Sequence, residues 1–167
     1  MQSLKFTLNK KVLSSHTQKI IGEIKEGVID PDTGRIIAFK LKTLLPKKFL
    51  SIIDIVEFNE DKILIHSEGG LFDEKDLPRI KQIKELKLKI WKAKAFSESG
   101  DCLGRVDDLI FDEHSGEIIK YYISQPFFLN PLKTHLIVTK NEILRVEKKG
   151  IIVRDPSKKV MVGALSQ

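Results

Sequence analysis

The feature that most constrains this chain is that it repeats itself. Residues 21–37 and 103–119 align without a gap at a spacing of 82, so that Gly22 matches Gly104, Asp30 matches Asp112 and Gly34 matches Gly116. A second block, 55–65, matches 143–153 at a spacing of 88, which leaves six extra residues between the blocks of the second copy. Their simplest placement is around Pro126–Pro131. Two blocks in the same order point to duplication, and in a duplicated chain each copy is one structural unit.

Each copy reads as β structure. The apolar, β-branched runs Ile24–Asp30 and Val106–Asp112 both end at an aspartate. Asp-Pro-Asp-Thr-Gly and Asp-Glu-His-Ser-Gly follow, where Asp bonds its own backbone and Gly accepts positive φ. Arg35–Lys42 and Glu117–Ser124 are the return strands of these hairpins. A second hairpin is expected in each copy, Ile52–Phe58 with Lys62–His66 and Glu142–Glu147 with Gly150–Arg154. Between the copies Leu77, Ile80, Ile83 and Leu86 recur every three residues behind the acidic Asp73-Glu74, which predicts a short connecting helix. Leu86–Ile90 and Lys92–Phe96 then alternate with period two and are expected to open the second copy, as Lys5–Leu13 opens the first. Short strands at this spacing suggest small closed or nearly closed barrels.

A glycine before a strand, a strand ending in aspartate, an Asp-x-x-x-Gly turn and a second strand together resemble the PRC-barrel family. The residues that carry the resemblance are Gly22, Asp30, Gly34, Ile36 and Ile37, and again Gly104, Asp112, Gly116, Ile118 and Ile119. It covers roughly residues 10–70 and 90–157. The family's fold occurs in the cytoplasmic part of the photosynthetic reaction centre H subunit, in the C-terminal part of the small-subunit ribosome maturation factor and in stand-alone proteins. The resemblance implies an interaction module without known catalytic residues. Neither named role carries over. The first expects a membrane-spanning N-terminal helix and the second a different N-terminal barrel, whereas here both halves read as one unit. The expected architecture is therefore all-β: two tandem PRC-barrel-like domains, 1–72 and 86–160, a helical linker at 73–85 and a tail at 161–167.

Composition bears on where such a chain works and what it touches. Hydrophobic residues make up 41%, enough for a core, yet no run approaches the roughly 18 to 20 apolar residues that span a bilayer. The start Met1–Phe6 has no apolar stretch behind it, so no signal peptide is read, and a cytoplasmic location is expected. The formal charge of +6 is concentrated: Arg79–Lys94 holds seven basic residues and one acid, and the rest of the chain balances. Such a segment marks either a contact with something acidic or a solvated face.

The residues of common chemistries do not assemble. His16, His66, His114 and His135 are scattered, without the i, i+4 pairing of a zinc helix, so no metal is expected. Asp30–Gly34 faintly resembles the start of a calcium loop, but the second copy keeps only the turn, and a turn explains both. Cys102 shows no base beside it and is read as structural. Ser97 and Ser99 lack an esterase elbow, Gly69-Gly70 lacks phosphate-loop spacing, and Asp107-Asp108 fall on opposite faces of a strand. No catalytic residue and no cofactor is expected, and the chain is read as non-enzymatic.

Two features remain as binding candidates. The first is the insertion, where Phe127, Phe128 and Leu129 sit between two prolines in a loop. Exposed, they would meet a partner protein; folded back, they would cover a barrel end. The shorter Leu44–Phe49 stands in the same region of the first copy. The second is the basic stretch Lys87, Lys89, Trp91, Lys92 and Lys94, read as a strand that either follows an RNA backbone or guards a solvated edge. The leading expectation is an adaptor for another, unidentified protein. An RNA- or ribosome-associated assembly factor using residues 79–94 is the alternative, and peripheral contact with an anionic membrane a third.

Overall fold

The computed structural model describes residues 1–44, 47–125 and 135–155, and these are predominantly strand. The chain divides into two compact units. One comprises Met1–Lys87 together with Ile110–Ile119, the other Leu88–Leu109 and Lys120–Gln167.

The first unit runs β1 (Gln2–Ser3), α1 (Leu4–Thr7), β2 (Lys11–Ser14), β3 (Ile20–Asp30), β4 (Arg35–Lys42), β5 (Lys48–Ser51), β6 (Ile55–Phe58), β7 (Lys62–Ile65), β8 (Leu71–Asp73) and α2 (Pro78–Leu86). Its sheet order is β6-β7-β2-β3-β4-β5-β8. The β2–β5 meander is antiparallel, and β7 returns to lie parallel beside β2. Phe39, Phe49, Ile24, Ile36, Leu50, Ile63 and Ile65 are buried. Phe39 and Leu50 pair across β4 and β5 on one face, whereas Phe49, next to Leu50, points to the other and packs with Val28 and Ala38 against α2. The sheet is open: its ends are β6 and β8, and no ladder among the described residues joins them.

Two expectations for the chain's own openings need correction. Lys5–Leu13 is not one strand. Ser3 accepts the Phe6 N–H at 3.1 Å, Leu4 is fully buried, and a single helical turn forms before β2 begins at Lys11. Nor is Leu86–Ile90 a strand. Pro78 starts α2, Ile80 and Ile83 pack on Val28, Ala38 and Phe49, and the helix runs through Leu86 to a left-handed Lys87 at φ 53°. The helix ends there, and residues 88–90 join neither helix nor strand before β9.

The second unit carries β9 (Lys94–Ser97), most of β10 (Cys102–Phe111) and β11 (Ile118–Ser124), then β12 (His135–Thr139), β13 (Ile143–Glu147) and β14 (Gly150–Val153). The strand order is β12-β11-β10-β9-β14-β13, and β14 lies parallel to β9 as β7 does to β2. This sheet too is open among the described residues. In both copies the second hairpin is entered by a 3₁₀ turn, Ile52–Asp54 and Lys140–Glu142, rather than by strand.

The matched glycines sit at matched irregularities. Between β2 and β3 the register shifts from Val12↔Gly22 to Leu13↔Ile20, and between β9 and β10 from Ala95↔Gly104 to Phe96↔Cys102. At each bulge the return strand passes close by. A Cβ on Gly22 would stand 2.8 Å from the Lys42 carbonyl oxygen, and one on Gly104 only 2.1 Å from that of Ser124. Glycine is there because a backbone occupies the place of a side chain.

Candidate functional site

The turns come first, because the repeat centres on them. Asp30 Oδ1 accepts the Asp32 N–H at 3.0 Å, and Gly34 takes φ 65°. Asp112 Oδ1 accepts the N–H groups of His114 and Ser115 at 3.1 and 2.8 Å, and Gly116 takes φ 71°. Here the copies part. The buried Asp30 receives Arg79 from α2 through Nε at 3.1 Å and Nη2 at 2.5 Å, and the same Nη2 reaches Asp32. The guanidinium holds the Asp30 carboxyl below its usual range against the opposing effect of burial. Both carboxylates of the calcium-like stretch are thus engaged by an arginine. Asp112 is held low by the Ser115 backbone and hydroxyl instead.

Within the first unit the two turns meet. Arg35 bridges to Glu117, the Ile36 N–H donates to the Gly116 carbonyl at 2.8 Å, and the Ile118 N–H donates to that of Gly34 at 3.2 Å. Phe111, fully buried, stacks its ring 6.1 Å from Phe39 and 6.0 Å from Phe58. Gln2 and Ser3 pair with Phe111 and Ile110. The hairpin 110–119 is therefore part of the first unit's core. Sequence alignment by itself assigns it to the second copy.

The basic segment is not one continuous strand. Three of its cations are committed within the chain: Arg79 as described, Lys84 to Glu74 at 2.6 Å and over the Phe49 ring, and Lys92 to Asp107 at 2.9 Å. Lys92 also lies 4.7 Å above the Trp91 ring, in a left-handed backbone position at φ 61°. Lys87, Lys89 and Lys94 are exposed and, among the described residues, have no carboxylate within ion-pair distance. Of the five predicted residues only Lys94 lies in a strand, β9. The structure adds neighbours that sequence reasoning missed. Asp107 also faces His135 at 3.4 Å, the Tyr122 ring stands edge-on to His135 at 6.0 Å, and Arg105 donates to the Lys92 carbonyl at 3.1 Å. The signal that could have found them was the alternation of buried and outward positions along 120–124.

Phe127, Phe128 and Leu129 lie outside the described residues. In the corresponding region of the first copy, Leu44 is fully exposed while Phe49 is buried. With the exposed Ile20, Leu44 borders a shallow hollow of about 310 Å³ against Gly22, Lys11 and Lys42. Cys102 is an exposed free thiol. Among the described residues no three His, Cys, Asp or Glu side chains cluster as a metal site would require, and no helix is long and apolar enough to cross a membrane.

No curated protein matches the chain. A protein-family model, that of the PRC-barrel domain, matches residues 8–71, from just before β2 to the first residue of β8. The match covers β2 to β7, with the β2–β5 meander and the parallel β2–β7 pair, and the Gly22, Asp30 and Gly34 of the first copy. Over residues 8–71 the chain is similar to the PRC-barrel domain family.

Proposed function

We propose that this chain is a non-enzymatic cytoplasmic adaptor built from two PRC-barrel copies, residues 1–72 and 86–160. The observation that carries the reading is the family match over residues 8–71, since the family's domains serve as interaction modules. The second sheet's strand order, which follows the first with β13, β14, β9, β10, β11 and β12 in the places of β6, β7, β2, β3, β4 and β5, supports extending it to the second half. The Asp30–Arg79 and Asp112–Ser115 contacts give the matched turn residues a structural purpose, which leaves the loops and sheet faces to make contacts. Phe127, Phe128 and Leu129 are the proposed contact in the insertion.

The test is affinity capture from nuclease-treated native lysate, with wild type beside the Phe127→Ser, Phe128→Ser double variant. One or a few proteins recovered by wild type and lost with the variant are expected. Capture of none, or equal capture by both, removes the reading or its site respectively.

A second reading, an RNA- or ribosome-associated assembly factor, is favoured by Lys87 and Lys89, which are exposed and have no carboxylate within ion-pair distance among the described residues. Its mark is nucleic-acid binding that weakens steeply with salt and is lost on Lys87→Gln, Lys89→Gln.

A further inference from the structure

The outward face of the second unit's sheet bears an electrostatic cost that the fold itself does not explain. Lys94 and Arg105 are directly opposite each other on antiparallel β9 and β10, and both are exposed. Residues so paired project from the same face, and like charges there are destabilising. Neither has a carboxylate within ion-pair distance among the described residues; Arg105 reaches only the Lys92 main-chain carbonyl. Lys120 on β11 is exposed and equally without an acid. The neighbouring carboxylates are already engaged. Asp107 lies between Lys92 and His135, and Asp108 accepts the Leu109 N–H at 2.7 Å. Beside these cations, Tyr122 on β11 pairs with Ile137 on β12, and Ile137 is 47% exposed.

We infer that this face, Lys94, Arg105 and Lys120 around Tyr122 and Ile137, binds an acidic segment of a partner protein whose carboxylates alternate with apolar side chains. The inference rests on the adaptor reading and names the partner's chemistry. Charge complementarity selects the acid, and the apolar Tyr122–Ile137 pair selects a peptide over a phosphate chain. A stacking surface for nucleic acid needs several open rings. Here the Trp91 ring is covered by Lys92, and Tyr122 stands edge-on to His135. A second copy of this chain is a poor occupant, because each copy carries +6.

The test uses the full-length protein and fluorescence anisotropy of a labelled peptide of about a dozen alternating glutamates and leucines, the length that crosses a small sheet. The decisive variant is Lys94→Glu. It replaces a like-charge cross-strand pair by an opposite-charge one, so it should melt no lower than wild type, and higher at low salt. Peptide affinity should nevertheless fall by at least about tenfold. Lys75→Glu with Lys81→Glu, on exposed positions of the first unit, makes a larger change in net charge and should alter affinity less than about threefold. Equal losses in both variants, absence of peptide binding by wild type, or tighter binding of a labelled oligouridylate that is lost in Lys94→Glu would each overturn the inference. A partner captured from lysate that Lys94→Glu still retains would leave the adaptor reading standing and remove this face from it.

Discussion

Truncating Phe111 to alanine tests whether the hairpin 110–119 belongs to the first unit's core. Phe111 is fully buried and its ring meets those of Phe39 and Phe58 at 6.1 and 6.0 Å. Losing a buried phenylalanine costs about 3 to 5 kcal/mol in transfer and cavity terms, and the two aromatic neighbours place this site in the upper half of that range. Against a domain stability of about 5 to 15 kcal/mol, a loss near 4 kcal/mol speeds exchange of globally protected amides roughly a thousandfold. The residue at the matching position of the first copy, Ile29, serves as a control, since Ile29→Val should cost only about 0.5 to 1.5 kcal/mol. Hydrogen exchange read by peptide resolves the question by location. The expected result is lost protection in β3, β4 and β7, strands distant in sequence from residue 111. Unchanged exchange in those strands, with loosening confined to β10–β14, would refute the assignment of the hairpin to this core.

Four further outcomes follow from the same geometry. Gly104→Ala must place a Cβ 2.1 Å from the Ser124 carbonyl oxygen at φ 134°, and should cost about 2 to 4 kcal/mol in urea denaturation; Gly100→Ala, at φ 95° with open space around it, should cost only about 1 kcal/mol. Asp30 is held below 3.8 by Arg79, so the stability this carboxylate contributes is present above its unfolded value and is lost as pH falls below it. Urea midpoints of wild type and Arg79→Gln should therefore differ at pH 7 and converge in acid; an undiminished gap at pH about 2 would show that charge is not the cause. Burial pushes Tyr121 up to about 12 from 10.0, so the unfolded chain ionises first and stability should decline between those values, a decline that Tyr121→Phe should abolish. Exposed Lys89→Gln should leave melting within about 0.5 kcal/mol of wild type, whatever it does to binding.

What was legible in the sequence was local or repeated. The Asp–Gly turns rest on side-chain-to-backbone bonds two or three residues long, and the glycine before β3 and β10 stands out because it recurs. The short strands β5, β8 and β12 were not read, since three to five residues between turns carry too little alternation to register. The start of β9 is not legible because Leu86–Ile90 alternates as a strand would, yet Leu86 ends the packed helix α2, Lys87 turns left-handed, and no strand begins before Lys94. The partner of Arg79 lies 49 residues back along the chain, and its pairing is a fact of topology. The opposition of Lys94 and Arg105 depends on the bulge at Gly104, because without that extra residue the register would shift by one and turn Arg105 inward.

The two turns show why matched sequence does not mean interchangeable parts. Ile36 donates to Gly116 and Ile118 donates to Gly34, so positions 82 apart exchange the same bond in both directions. A side chain on Gly116 would lie 2.0 Å from the Ile36 carbonyl oxygen, which is why that reciprocal contact demands glycine in a left-handed conformation. Around this symmetric centre the neighbours differ. The first turn is fastened by an arginine from α2, which has no described counterpart after the second copy. The second presents Phe111 where the first has Ile29, and it is the larger ring that completes the cluster with Phe39 and Phe58. Exchanging the two hairpins would preserve the aspartate and the glycine that frame each turn. It would also leave a cavity where Phe111 was, overfill the site of Ile29, and strand Arg79 without Asp32. The backbone pattern is shared, whereas the packing that makes each position necessary is private to one copy.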